Sequence, residues 1–248
     1  MGKLDGRMAL VTGGSSGIGR AIADLFAKEG AVIGIFDLDI ARALEVASGI
    51  AAGGGRAEAV QCDVSDEAVV KAGVDHITKL LGPVDILVNN AGMDTTCELA
   101  EMPTEMWDHM IAVHLKGTFL CTREVLPAMK AKGWGRIINL SSQLAHKGAP
   151  TMVHYCAAKA GILGFTRALA YEAAPHGITV NCINPGPIDT PLLRALPEDW
   201  VARKKSELPI GRFGEVHEVA PAALLLASDE GSYFVGASMN MNGGDYMI

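Results

Sequence analysis

The feature that most constrains this chain is an alternation. Short aliphatic runs recur down the sequence, each separated from the next by a longer stretch with helical periodicity. Residues 8–12 read as a buried strand, residues 17–29 as a helix ended by Gly30, and residues 31–36 as a second strand. A helix at about 39–52, a strand at 57–62 and a helix at about 66–80 capped by Ser65 follow. Gly82 and Pro83 end that helix, and residues 84–88 form a fourth strand. Helical pattern covers about 104–131, ahead of a strand at 135–140. A helix at about 153–174 leads to a strand at 178–183, and a last helix at about 216–228 leads to a short strand near 237–241.

Parallel strands need crossovers, and helices are the usual ones. The alternation therefore predicts an α/β chain, a doubly wound parallel sheet of about seven strands with helices on both faces. The strands are apolar nearly throughout, as a sheet covered on both sides requires. No composition shift divides residues 1–248, so one domain is expected. The stretch 188–214, rich in proline and charge, reads as an insertion over a site.

Composition excludes several classes. The net charge of -7 argues against nucleic acid or an anionic membrane as partner, because both need a basic surface. No run of apolar residues reaches the ~18 of a membrane span, and with no long apolar core after the first residues a signal peptide is not expected. The five cysteines are scattered with no C-x-x-C, which suggests neither a disulfide framework nor a metal site. They read as reduced, buried small residues of a cytoplasmic protein. The 29 glycines follow no collagen period and form no linker, so each needs a positional reason.

In a doubly wound sheet the ligand lies beyond the carboxyl ends of the strands. Those ends carry a glycine-rich loop, Asp37, Asp63 and Val64, the run from Asn89 through Ala91 to Gly92, Ser141 with Ser142, and Pro185 with Gly186. The loop reads Gly13-x-x-x-Gly17-x-Gly19, between a strand and a helix, and includes Ser15, Ser16 and Ile18. Glycines there let the backbone approach a pyrophosphate, and the helix start offers free N–H groups. Asp37 lies 18 residues beyond Gly19, where a carboxylate can hold an adenosine ribose. The same residues satisfy G-x-S-x-G, the serine-hydrolase elbow, with Ser15 as nucleophile and His217 as the late histidine. That rival is weaker, because the elbow would follow the first strand.

Tyr155-x-x-x-Lys159 puts a phenol and an ammonium on one helix face, with Ser142 13 residues upstream at a strand end. A phenol at its ordinary pKa is a poor base at neutral pH, and a nearby cation stabilises the phenolate. With these motifs in this order, the chain resembles the short-chain dehydrogenase/reductase family over essentially its whole length, near the 3-oxoacyl-carrier-protein reductases. The resemblance implies a single Rossmann-type domain, commonly a homotetramer, that moves hydride between NAD(P) and a carbonyl or alcohol. It implies Tyr155 as general acid/base, Lys159 as its partner and ribose ligand, and Ser142 on the substrate oxygen. It further implies Asn89, Ala91 and Gly92 in the cofactor groove, Asp63 and Val64 at the adenine, and Pro185, Gly186, Ile188 and Thr190 on the carboxamide side. His114 departs from the family, which commonly carries Asn there to seat a water in a proton relay. Histidine can both donate and accept, so it is a candidate for the same task; a satisfied core histidine is the plain alternative.

Asp37 favours NAD, since it repels a 2'-phosphate and Ser15 and Leu38 occupy the places where a basic residue would bind one. The substrate pocket is expected to draw on Met93, Asp94, Gln143, Leu144, His154 and Pro187, a mixture that suits a polyol, sugar acid or hydroxy acid as well as an alkyl alcohol. Arg194, Arg203 and Lys204 could meet a carboxylate or be a solvated run. No metal is expected. The runner-up reading is an NADPH-dependent 3-oxoacyl-carrier-protein reductase, with Lys130 and Lys132 docking the acidic carrier; a more remote one is a dinucleotide-binding protein without catalysis.

Overall fold

The computed structural model describes residues 2–190, 193 and 198–247. Seven strands form one sheet: β1 (Met8–Thr12), β2 (Val32–Asp37), β3 (Ala57–Gln61), β4 (Ile86–Asn89), β5 (Gly135–Leu140), β6 (Ile178–Pro185) and β7 (Ser238–Met241). Their order is β3-β2-β1-β4-β5-β6-β7, and every pairing is parallel. The chain leaves the sheet centre through β1, β2 and β3 to one side, then returns to β4 beside β1. That reversal opens a crevice between the carboxyl ends of β1 and β4.

Two cores sandwich the sheet, divided by the strand period of two. Ala9, Val11, Ile33, Ile35, Ile86, Val88 and Ile138 face α1 (Gly17–Lys28), α2 (Ile40–Ala52) and the late helix Val216–Ala227. Met8, Leu10, Phe36, Leu87 and Ile137 face α3 (Glu67–Leu81), the helix Gly117–Lys132 and the helix Val153–Ala173. With both faces covered, all of β1 and all of β5 are buried.

The local differences from the sequence reading have physical causes. The helical stretch after residue 104 is three pieces: α4 (Thr104–Ile111), a π-helical turn (Ala112–Lys116) and α5 (Gly117–Lys132). A π turn has no distinct hydrophobic period, so the pattern could not reveal it. Ser65 does not cap α3. Asp66 does, its carboxylate accepting the Ala68 and Val69 N–H groups, while the Ser65 hydroxyl donates to Asp63 at 2.7 Å. β6 runs on to Pro185 because its last residues pair with β7. Cys62, Cys121 and Cys182 are buried and free as expected, but Cys97 and Cys156 are only half-buried.

Among the described residues the further α-helices include α6 (Leu144–Lys147), α7 (Val153–Ala173), α8 (Glu198–Glu207) and α9 (Val216–Ala227). α8 lies within the insertion 188–214, whose two ends are pinned together. Ile188 bridges Gly214, the Asp189 N–H donates to Gly214 O at 2.8 Å, and the Gly214 N–H donates to Pro187 O at 3.0 Å. Arg194 lies outside the described residues. Among the described residues no helix is long and apolar enough to cross a membrane.

Candidate active site

The glycine loop joins β1 to α1 at the sheet's switch point. Gly13 and Gly17 have φ of +63° and +54°, a region that side chains rarely adopt. A Cβ at Gly19 would overlap the Gly13 carbonyl and the Asn90 amide. Ser16 is the N-cap of α1 but its side chain makes no cap bond, so the first N–H groups of the helix are left for a ligand. The Thr190 methyl lies 3.6 Å from where a Gly17 side chain would begin, which brings the insertion's first residues against this loop. The bare backbone and the open helix start fit a pyrophosphate. Ile18, by contrast, packs its side chain against the core.

Asp37, the last residue of β2, closes one end of the groove. Its Oδ2 accepts the Ser15 N–H and its Oδ1 the Asp39 N–H, both at 3.0 Å. Each oxygen keeps a lone pair for a ribose hydroxyl. Leu38 beside it is 64% exposed and carries no charge to meet a phosphate. Asp63 accepts both the N–H and the hydroxyl of Ser65, which lowers its pKa, and Val64 packs on Gly117.

The loop after β4 is clamped to β1 by residues that the motif contains but whose roles the spacing did not reveal. Thr12 Oγ1 accepts the N–H groups of Asn90 and Ala91, each at 3.0 Å. The Asn90 amide donates to Thr12 O at 2.9 Å and Gly13 O at 3.0 Å. Asn89 turns the other way. Its buried amide donates to Thr122 and Asn139, so its side chain braces the sheet interior instead of lining the groove. Gly92 is tight for a different reason: a Cβ there would lie 2.5 Å from the His114 ring.

Ser142 lies two residues beyond β5, and α6 and a short turn bring the chain back to α7, which begins near Tyr155. Ser142 hydrogen-bonds Tyr155, and the Leu144 N–H donates to its Oγ at 3.1 Å. Tyr155 is half-buried; burial pushes its phenol well above the usual value, and the Ser142 bond opposes that shift. Lys159 is buried one helical turn on, its Nζ 5.6 Å from the Tyr155 ring centre and donating to Leu140 O at 2.7 Å. Burial lowers its pKa to about 8. The lysine bond therefore goes to a backbone carbonyl, and in this arrangement the phenol is raised where the motif suggested lowering.

His114 sits in the π turn, buried against the edge of Tyr155 at 5.4 Å between ring centres. Its Nε2 faces the Met93 peptide, 3.1 Å from N and 2.8 Å from O. Burial, with the Lys159 cation nearby, lowers its pKa to about 3, so the ring is neutral. Among the described residues no hydrogen bond joins it to Lys159. Met93, Asp94, Leu144 and Pro187 are half-buried around the site, while Gln143 and His154 are fully buried. Gln143 donates to Asp245, which also binds Lys204 of α8 at 2.7 Å and Lys147 at 2.9 Å. Lys204 is thus neither solvated nor free for a substrate, and Asp245, a hundred residues from Gln143, had no sequence signal. Pro185 O accepts the Gln143 N–H at 3.1 Å, and Gly186 rests on Asn242. Among the described residues no cluster of metal ligands exists.

The hydrolase reading of Ser15 finds no support in this geometry. His217 is exposed on α9, and its neighbours Glu215 and Glu218 form that helix's capping box.

A parallel sheet with a glycine loop at its switch point and a Ser-Tyr-Lys group beyond β5 defines a dinucleotide-dependent oxidoreductase. Residues 13–245 match a family model described as Enoyl-(Acyl carrier protein) reductase. The chain is 42% identical over 253 residues to "Uncharacterized oxidoreductase YxbG" of Bacillus subtilis, covering 98% of this chain and 92% of that protein. It is 39% identical to the "3-oxoacyl-[acyl-carrier-protein] reductase FabG" of Thermotoga maritima, covering 98% of both. A short-chain type dehydrogenase/reductase from Mycobacterium marinum superposes with a TM-score of 0.94 at 35% identity, covering 99% of this chain and 97% of that one. The chain belongs to the short-chain dehydrogenase/reductase family, in the subgroup resembling 3-oxoacyl-carrier-protein reductases. It is an NAD(P)-dependent oxidoreductase.

Proposed function

We propose that the protein is an NAD-dependent dehydrogenase interconverting a secondary alcohol (a polyol, sugar acid, hydroxy acid or similar) and its ketone. The observation that carries this reading is the convergence of Ser142, Tyr155 and Lys159 beyond β5, beside a groove that ends at the Asp37 carboxylate. NAD(P), when bound, supplies the hydride acceptor or donor. Residues 13–19 hold its pyrophosphate, Asp37 its adenosine ribose, Lys159 its nicotinamide ribose, and Ile188 and Thr190 its carboxamide. Ser142 hydrogen-bonds the substrate oxygen. In oxidation the alcohol's C–H leaves as hydride and its O–H proton goes to Tyr155 Oη; in reduction Tyr155 returns that proton. The Lys159 ammonium above the ring stabilises the phenolate. His114 acts as a positioning residue: it fixes the Met93 peptide and the face of Tyr155, and burial keeps its ring neutral at neutral pH.

Following NADH absorbance over a panel of alcohols and sugar acids tests this reading. NAD⁺ is expected to be used with at least about tenfold higher kcat/KM than NADP⁺, because Asp37 repels a 2'-phosphate; equal use refutes the preference. The absence of any turnover points to the non-catalytic binder instead.

The similarity to FabG proteins favours one second reading, an NADPH-dependent reductase of 3-oxoacyl groups on a carrier protein. Against it, Lys130 and Lys132 are in the last turn of α5, and Lys132 pairs with Asp85 just ahead of β4. That is the amino edge of the sheet, opposite the groove, so a carrier docked there does not deliver its thioester to Tyr155. NADPH oxidation with a 3-oxoacyl thioester would restore this reading. A cytoplasmic homotetramer is part of the proposal. Gly161 packs on Leu115 of the same chain, whereas Gly164 has open space beside it that a neighbouring helix can fill. Light scattering should give about four times the monomer's 26.0 kDa.

A further inference from the structure

Six buried side-chain polar atoms have no hydrogen-bond partner among the described residues, and four of them belong to residues around Ser142 and Tyr155. These are Asp94 Oδ1, His114 Nδ1, Gln143 Oε1 and His154 Nδ1. His114 stacks edge-on to Tyr155, His154 and Gln143 adjoin the pair in sequence, and Asp94 lies close enough for its charge to raise the Tyr155 phenol. An unpaired buried polar atom is costly, so such a concentration in a groove marks where a ligand completes the bonding.

Asp94 is the most restrictive of the four. Its carboxylate is partly desolvated and bonded by the Thr95 N–H, while His154 nearby occupies the Thr95 hydroxyl at 2.9 Å. Among the described residues neither Thr95 nor any other group bonds Oδ1. An ionised carboxylate only accepts hydrogen bonds, so its ligand must bring a donor. We propose that Asp94 selects the substrate by accepting a hydrogen bond from a hydroxyl on the carbon next to the reacting carbinol. The preferred substrates are then neutral vicinal diols and polyols. This rests on the dehydrogenase reading above and narrows it. A 2-hydroxy acid would set its carboxylate against Asp94, and like charges in a partly buried site repel. An amino alcohol would bring a second cation beside Lys159. A 3-oxoacyl thioester offers only acceptors and carbon next to its ketone, and leaves Asp94 unpaired.

The test compares butane-2,3-diol with butan-2-ol, which differ by the adjacent hydroxyl. In the unaltered enzyme the diol should be favoured about tenfold or more in kcat/KM, the usual worth of a hydrogen bond to a charged group. Asp94→Asn should keep part of that ratio through its remaining carbonyl acceptor, and Asp94→Leu should remove it. Calorimetric binding of both alcohols to enzyme saturated with NAD⁺ should follow the same order. If the diol is not preferred, or if Asp94→Leu keeps the preference, the proposal is overturned. If neither alcohol is oxidised yet the diol binds more tightly through Asp94, the subsite stands and the dehydrogenase reading falls. If both alcohols turn over and bind alike, the reverse holds.

Discussion

Tyr155→Phe should lower kcat by about 10²–10⁴-fold while dinucleotide binding stays nearly unchanged. The substitution removes one oxygen and keeps the ring. The edge contact with His114 and the packing at the start of α7 therefore survive. What is lost is the group that takes the alcohol's proton, together with the hydrogen bond to Ser142. Residues 13–19 and Asp37, proposed to hold the cofactor, are untouched. Fluorescence titration with NADH, set beside steady-state rates, separates the two effects. Near-normal turnover in Tyr155→Phe would remove Tyr155 from the mechanism; lost NADH binding would instead reveal a structural role.

Lys159→Met should be comparably severe in rate, about 10²-fold, but its signature lies in the pH profile. Burial lowers the lysine pKa to about 8 and raises the tyrosine. The lysine is thus cationic below about pH 8 and loses its charge above it. Two groups this close release their protons as a pair. Oxidation needs one proton off the pair, so its rate should rise with pH through the first of these steps. Without the cation, the phenol alone must ionise, and burial holds that event at higher pH. The rising limb of kcat/KM should therefore move upward in Lys159→Met, and the acid side of the reduction profile should extend with it. An unmoved limb would show that Lys159 does not tune the proton-transfer group.

The architecture was legible because the strands are apolar on both faces and the helices are not, so the period itself marks the crossovers. The strand ends then located the groove. Sequence could not supply the direction a side chain takes. Asn89 and Asn90 are adjacent and alike, yet Asn89 braces the core through Asn139 and Asn90 clamps the glycine loop, because successive residues at a strand end face opposite ways. The π turn was hidden for a related reason. One extra residue per turn leaves the hydrophobic count unchanged but re-aims His114 onto Met93. Asp245 was hidden by distance, since its ties to Gln143, Lys147 and Lys204 exist only once the chain has folded.

The bridge between Ile188 and Gly214 also has a meaning for protein engineering. The insertion leaves and rejoins the body at nearly one point, so lengthening it adds only slowly to its closure entropy, while Lys204 gives it one further tie to the body through Asp245. The segment between these anchors can be treated as an exchangeable cassette. Grafted replacements that keep residues 187–190, Lys204 and residues 208–215 should fold on the same platform and retain the Ser142, Tyr155 and Lys159 geometry. Substrate range could then be diversified by swapping one loop, with the dinucleotide machinery inherited intact.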